Sequence, residues 1–201
     1  MASKLSLAAL LRVQSLTVEK RPAGVSHVIR YYRVTRLESE TLGGLNRLLI
    51  DVVTGGASIG FLAPLTDERA GRYWEGVQAR LGQGQFLWVA EQAGQIVGSV
   101  QLEFCPKENG RHRAEVQKLM VLRSHRGRGL ATALLMEAEE WARREGRTLL
   151  VLDTEAGSTA DRLYLHLGWT RIGETPDYAA SPDGQLRANA YYFKRLARSA
   201  G

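Results

Sequence analysis

Leu119-Met120-Val121-Leu122-Arg123-Ser124-His125-Arg126-Gly127-Arg128-Gly129-Leu130-Ala131-Thr132 runs from an apolar segment through a glycine-rich turn into the start of a helix. Gly127 and Gly129 let the backbone turn sharply with N–H groups facing outward. The helix behind them adds unpaired donors and the positive end of its dipole, so the turn is suited to holding phosphate. Leu130, Leu134, Ala138, Trp141 and Ala142 mark the buried stripe of that helix, Glu139/Arg143 and Glu140/Arg144 pair on its wet side, and Gly146 ends it. Leu149-Leu150-Val151-Leu152 follows as a continuous apolar run ending in Asp153, the pattern of a parallel strand buried on both faces. Strand, turn, helix and strand make a right-handed unit whose ligands gather where the two parallel strands end.

Upstream, His27 to Thr35 alternates as a first strand, and Leu42, Leu45, Leu48, Leu49, Val52 and Val53 recur at helical spacing up to Thr54. Gly55 to Phe61 is a glycine-rich loop, either a simple chain reversal or a ligand border. Thr66 caps a second helix through Ala70, Trp74, Val77 and Leu81, which Gly82 closes. Phe86 to Glu91 and Gln95 to Phe104 form a hairpin around Ala93-Gly94, and a third strand runs from Arg113 to Leu122. In that strand the adjacent polar pair Gln117-Lys118 breaks the two-residue alternation. A bulge there would splay the strand and free its backbone groups.

Downstream, Ser158 and Asp161 open a short helix carrying Ala160, Leu163, Tyr164 and Leu167, stopped by Gly168. Trp169 to Gly173 reads as a strand, Pro176 to Arg187 as a long turn-rich loop, and Ala190 to Leu196 as the last strand.

The 201 residues suit one domain, at 28–198, with 1–27 as an appended arm of undetermined structure. Its opening Lys4 to Leu11 is too short to span a membrane, and Arg12 interrupts it. With 44% hydrophobic and 24% charged residues the chain reads as soluble, and a net charge of +6 suits an anionic ligand. The lone Cys105 excludes an intrachain disulfide and points to the cytoplasm; with no basic cluster beside it in sequence, it reads as a strand-end residue. His27, His112, His125 and His166 fall at no ligand spacing, so no metal is expected. The arginines of the glycine turn alternate with glycine rather than stacking aromatics, which argues against nucleic acid.

Arg126-Gly127-Arg128-Gly129-Leu130-Ala131, between a strand and a helix, together with Ala160 to Trp169, resembles the GCN5-related N-acetyltransferase (GNAT) family. Within it, Gly55 to Phe61, Arg113 to Leu122, Leu152 to Ser158, Pro182 to Leu186 and Tyr192 to Lys194 are similar to the tabtoxin-resistance branch, except that Arg123 stands where proline is expected. The resemblance implies an α/β fold: a mixed, mostly antiparallel twisted sheet with a central splayed parallel strand pair and flanking helices.

It further implies an acetyl-CoA-dependent N-acetyltransferase acting on the amino group of a small polar molecule, a toxin-like β-lactam or an amino-acid-like metabolite, as a monomer or homodimer. A non-catalytic CoA-binding module and a protein N-terminal acetyltransferase remain the alternatives. The pyrophosphate falls to Arg126, Gly127, Arg128, Gly129, Leu130, Ala131 and Thr132. The pantetheine arm falls to the strand at Leu119, Met120, Val121 and Leu122, with Ser158 added to the donor-binding set. An alkyl amine needs a carboxylate to take its proton, and Glu115 and Asp153 are the candidates. Pairing with Arg113 and bonding to loop N–H groups are their respective structural alternatives. Tyr164 takes the place of the family's general acid, with a core tyrosine as the alternative. No cysteine is placed to carry an acetyl group, so attack is direct in a ternary complex.

Overall fold

The β-bulge anticipated at Gln117-Lys118 lies at the centre of a seven-stranded sheet with strand order β1-β2-β3-β4-β5-β7-β6. A computed structural model describes residues 28–197, and the arm at 1–27 lies outside the described residues. In chain order the elements are β1 (Ile29–Val34), α1 (Ser39–Thr54), α2 (Asp67–Gln78), β2 (Gln85–Gln92), β3 (Gln95–Phe104), β4 (Arg113–Val121), α3 (Leu130–Arg144), β5 (Leu149–Glu155), α4 (Thr159–His166), β6 (Thr170–Ala180) and β7 (Leu186–Arg195). β4 and β5 pair in parallel, and the other neighbours pair antiparallel.

The helices divide between the two faces of the sheet. Gly98 of β3 lies under α3 so closely that an added Cβ would meet Leu134 at 3.0 Å. Phe86 and Trp88 of β2 stack against Trp141 of the same helix. α4 shares this face, where the Tyr192 hydroxyl donates to the Asp161 carboxylate. On the opposite face α1 and α2 pack together over β3 and β4. Leu45, Leu48, Leu49 and Val52 are fully buried there, each worth about 1.5–3 kcal/mol relative to exposure. Tyr73 of α2 and Gln101 of β3 exchange hydrogen bonds beneath it, and Gln85 donates to Gln101 at 2.8 Å. Burial pushes the Tyr73 phenol up to about 12.

The caps follow their chemistry. Thr66 accepts from the Arg69 N–H at 3.3 Å, with Asp67 and Glu68 in the first turn of α2. Ser158 accepts from the Asp161 N–H at 3.1 Å, while Asp161 accepts from the Gly157 N–H at 2.7 Å. This is a variant of the capping box in which aspartate replaces Glu or Gln and reaches back to the N–H of the residue before the cap, while the Ser158 N–H donates to the Glu155 carbonyl.

Four sequence expectations need correction. α2 ends at Gln78 rather than at Gly82. Gly82 instead occupies a left-handed turn position, φ 78°, before β2. β5 continues to Glu155, so Asp153 sits inside the strand and not at its cap. Leu150 and Leu152 are buried, whereas Leu149 and Val151 line an open groove with Ile172 and Phe193, so one face of β5 has no helix over it. The loop expected at 176–187 shrinks to a tight turn because β6 runs to Ala180. Pro176 is tolerated on this edge strand where the register shifts between Thr175 and Ala179.

Lys194 of β7 donates to both oxygens of Glu139 of α3, at 2.8 and 2.9 Å, and to the Leu167 carbonyl at 3.2 Å. This mostly buried pair ties α3 to the last strand. Lys194→Met strands the Glu139 charge and lowers the unfolding free energy by about 3 kcal/mol, whereas the double variant E139L/K194M recovers most of that loss. Urea unfolding of the three proteins checks both values, and equal losses in the single and double variants would refute an ion-pair origin.

Candidate functional site

β4 and β5 pair only at Arg113–Leu149, Ala114–Leu150 and Glu115–Val151. Beyond Glu115 the strands part, and a wedge opens towards their C-terminal ends. The bulge lies on the other side of β4, where Gln117 pairs with Gln101 and Met120 with Ser99, leaving Lys118 and Leu119 between. Lys118 takes φ 50°, a left-handed conformation unusual for a side chain of its length. The four residues assigned to the pantetheine arm, Leu119, Met120, Val121 and Leu122, lie on this diverging stretch, with Met120 and Leu122 buried.

The chain then makes one turn of 3-10 helix, Arg123–His125, and reaches the glycines. Gly127 and Gly129 have φ 75° and 79°, and no atom lies within 4 Å of an added Cβ at either. They are therefore required for conformation, not for space. Arg126, Gly127, Arg128 and Gly129 are exposed, whereas Leu130 inserts into the core. Gly129 is the N-cap of α3 and offers no side chain, and helical bonding begins with the Ala133 N–H on the Gly129 carbonyl at 3.1 Å. The N–H groups of Leu130, Ala131 and Thr132 precede that bond, as an anion cradle requires.

Arg123, where proline was expected, does not add a free cation to the turn. Its N–H and its Nε both donate to the Asp51 carboxylate of α1, each at 2.9 Å, and its side chain lies across Gly55, where an added Cβ would clash at 2.5 Å. The arginine therefore fastens the glycine turn to the loop after α1. That loop reaches across the sheet: the Ala63 N–H donates to the Pro182 carbonyl at 3.0 Å, joining it to the β6–β7 turn. The loop after α1 and the turn between β6 and β7 therefore meet on the face of the sheet that is open at β5.

Alternation puts Glu115, Asp153 and Tyr191 on that open face, since Glu115 is in register with Val151 and Asp153 with Tyr191. Glu115 accepts from the Gln117 amide at 2.9 Å, and the same amide donates to Glu103 at 3.0 Å. Arg113, its suggested partner, instead donates to the Cys105 sulfur at 3.4 Å. Asp153 accepts from Asn189 at 2.6 Å, a side chain on β7 rather than a loop N–H. Lys118 crosses the same space, with Nζ 3.6 Å from where a Gly60 Cβ would stand. Burial lowers the proton affinity of its ammonium, and the charges of Asp153 and Glu115 oppose that shift. Tyr178, expected in a loop, lies on β6 and meets the Tyr191 ring edge-on at 5.8 Å. The Tyr191 hydroxyl raises the Tyr178 phenol, with Asp153 and Glu115 adding to the effect.

Tyr164 is buried in α4 between Trp169 and Tyr192, with ring centroids at 5.7 and 5.9 Å. Burial holds its phenol protonated far above the ordinary range, and the Asp153 charge adds to this. Ser158 spends its hydroxyl oxygen on the α4 cap. Cys105 directly follows the end of β3, as its sequence position suggested, and the Lys107 N–H followed by Arg113 lowers its thiol. It sits beside Arg113 at the start of β4, the end remote from the glycine turn. Gln117, Lys118, Asn189 and Tyr191 were not anticipated as site residues. The broken alternation at 117–118 marked the bulge but not the direction of the lysine.

Among the described residues, no group of three or more His, Cys, Asp or Glu side chains is gathered for a metal, and no helix is long and apolar enough to cross a membrane. The model of the acetyltransferase (GNAT) family matches residues 57–169. N-acetyltransferase 8 of Rattus norvegicus is 37% identical over 97 residues, which are 46% of this chain and 43% of that protein. The N-acetylaspartate synthetase of Danio rerio is 36% identical over 96 residues, 47% of this chain and 33% of that one. The chain thus spans less than half the length of these curated relatives. The yncA protein of Salmonella typhimurium, solved with its cofactor acetyl-CoA, superposes with a TM-score of 0.67 at 22% identity, covering 87% of this chain and 96% of that one, a likeness of fold. The matched segment takes in the glycine turn, the wedge and both carboxylate-bearing strands and exceeds half of the sequence, and the chain belongs to the acetyltransferase (GNAT) family.

Proposed function

We propose that this chain, as a single domain over 28–198, is an acetyl-CoA-dependent N-acetyltransferase that acetylates the amino group of a small polar molecule by direct attack in a ternary complex. One observation carries the reading: an uncapped, glycine-preceded helix N-terminus and a pair of carboxylates flank one backbone wedge. The resemblance to the tabtoxin-resistance branch favours a β-lactam toxin, and the synthetase name of one relative favours an amino acid.

Acetyl-CoA supplies the activated acyl group. In our reading the N–H groups at residues 127–132 hold its pyrophosphate, and Arg126 and Arg128, exposed on the turn, add long-range attraction. The edge of β4 from Leu119 to Val121 that faces the wedge has no strand beside it and is available to the pantetheine amides, whereas the Leu122 N–H and C=O are held by Val97 and His125. An N–H near Leu119 or Met120 supports the thioester oxygen as charge develops there. Ser158, whose oxygen already caps α4, contributes at most its hydroxyl proton to the donor.

Glu115 and Asp153 serve the amine from one side of β4 and β5. Each carboxylate accepts a fixed amide hydrogen bond, from Gln117 and Asn189, which sets its orientation and leaves other lone pairs open for the amine proton or a bridging water. Tyr164 stands in α4, on the other face of β5, and burial holds its phenol in the protonated form that can donate a hydrogen bond or a proton to the leaving thiolate. Cys105 lies at the paired end of β4 beside Arg113 and packs against Gly110, away from the diverging stretch, so the acetyl group passes directly to the amine.

Glu115→Gln lowers kcat about 100-fold while acetyl-CoA affinity stays within about twofold, as expected for loss of a proton acceptor. Tyr164→Phe lowers kcat about 10-fold or more, also with unchanged acetyl-CoA affinity. Gly129→Val, which forces a branched side chain to φ 79°, raises the KM for acetyl-CoA at least about 10-fold with a smaller effect on kcat. CoA thiol release across an amine panel, with equilibrium binding of acetyl-CoA, measures all three. A purified chain that neither binds acetyl-CoA nor releases CoA with any amine would end the reading.

A further inference from the structure

Lys118 is unexplained by the transfer chemistry just described. It occupies the bulge of β4 at φ 50°, a position where glycine or asparagine would be cheaper, and it is half-buried. Its side chain does not run towards the phosphate turn. It reaches beneath the loop after α1, with Nζ beside Gly60, and is close enough to Glu115 and Asp153 to be influenced by both charges. Yet neither hydrogen bond nor ion pair forms on Nζ among the described residues. A largely desolvated ammonium with no hydrogen-bonding partner is costly, and an anion placed against it removes that cost.

The surroundings specify which anion. Two loops joined at Ala63–Pro182 border this space, and Asp153, Asn189 and Tyr191 stand on its floor. One side of the space is therefore negative and suits an amine, while the other carries a single unpartnered cation. A plain alkyl amine would meet Lys118 as a repelling charge. A molecule with an amine and a nearby carboxylate satisfies both sides at once.

We propose that Lys118 is a specificity residue that binds the carboxylate of the acceptor, and that the acceptor class is a free amino acid or an amino-acid-like zwitterion. The proposal rests on the acetyl-transfer reading and narrows its substrate. It disfavours a peptide N-terminus, whose nearest carbonyl group is an uncharged amide.

The test compares free L-amino acids with their α-carboxamides, which differ in charge at the carboxyl position, using the full chain with acetyl-CoA. The wild type favours the amino acid in kcat/KM. In K118M the ratio of the two kcat/KM values falls about 10- to 100-fold, mainly through a higher KM for the amino acid, the range expected for a lost hydrogen bond between charged partners. K118R retains part of the preference, and a thermal-unfolding midpoint near that of the wild type shows that both variants fold. An unmoved ratio in K118M, or a wild type that favours carboxamides or peptide N-termini, overturns the proposal. Calorimetric binding of the same pairs in the presence of CoA separates two failures. Binding that prefers amino acids and depends on Lys118, without any CoA release, sinks the transfer reading alone. Binding with no such preference sinks the role of Lys118.

Discussion

The parting of β4 from β5 after Glu115–Val151 is the constraint on which the rest of the molecule depends. Two parallel strands that stayed paired would satisfy each other's backbone groups along their whole length and leave nothing for a ligand. Here β4 is held on its other side by β3, through a bulge that restores pairing at Met120 and Val121, while β5 is held to β7 through Glu155. Each strand is secured by its outer neighbour, so the inner edges can diverge without loss of the sheet. The glycine turn is the continuation of one arm of this wedge, and α4 follows the other.

The same divergence sets the electrostatics. Alternation places Glu115 and Asp153 on the face that α1 and α2 leave uncovered at β5, and fixed amides orient both carboxylates without neutralising them. On the opposite face, Glu139 meets Lys194 and Asp161 meets the Tyr192 hydroxyl, so the charges beneath α3 and α4 are internally partnered. The face under α3 and α4 has its charges bonded to each other, whereas the part of the other face beyond α1 and α2 presents carboxylates bonded to neutral amides. Arg123 ties the glycine turn to the end of α1 and the loop after it, through Asp51 and its packing across Gly55.

Much of this was legible from local pattern. Gly127 and Gly129 announced left-handed turn positions, Ser158 and Asp161 announced the α4 cap, and Gln117-Lys118 announced the bulge, because each depends on neighbours a few residues away. Where the expectation failed, a distant contact intervened. Arg123, read only as a replacement for proline, is bound by Asp51, far off in sequence. Glu115 looked like a partner for Arg113, but the Arg113 guanidinium donates to the Cys105 sulfur, and Glu115 accepts from Gln117, whose amide also reaches Glu103 on β3. The loop expected from Pro176 to Arg187 is mostly strand because β7 supplies a ladder that outweighs its turn-rich composition.

The sequence by itself determined the family, the order of the elements and the glycine turn, since each is written as residue types at a spacing, and the resemblance to the family singled out Glu115, Asp153 and Tyr164 as candidates. The tertiary structure decided that Asp153 lies within a strand facing Tyr191, that Tyr164 is sealed between Trp169 and Tyr192, and that two remote loops are joined at Ala63–Pro182. It also decided the direction of Lys118. The physical reason is that a bulge reverses which face the following side chains occupy, and only the pairing of β4 with β3 shows where that reversal falls.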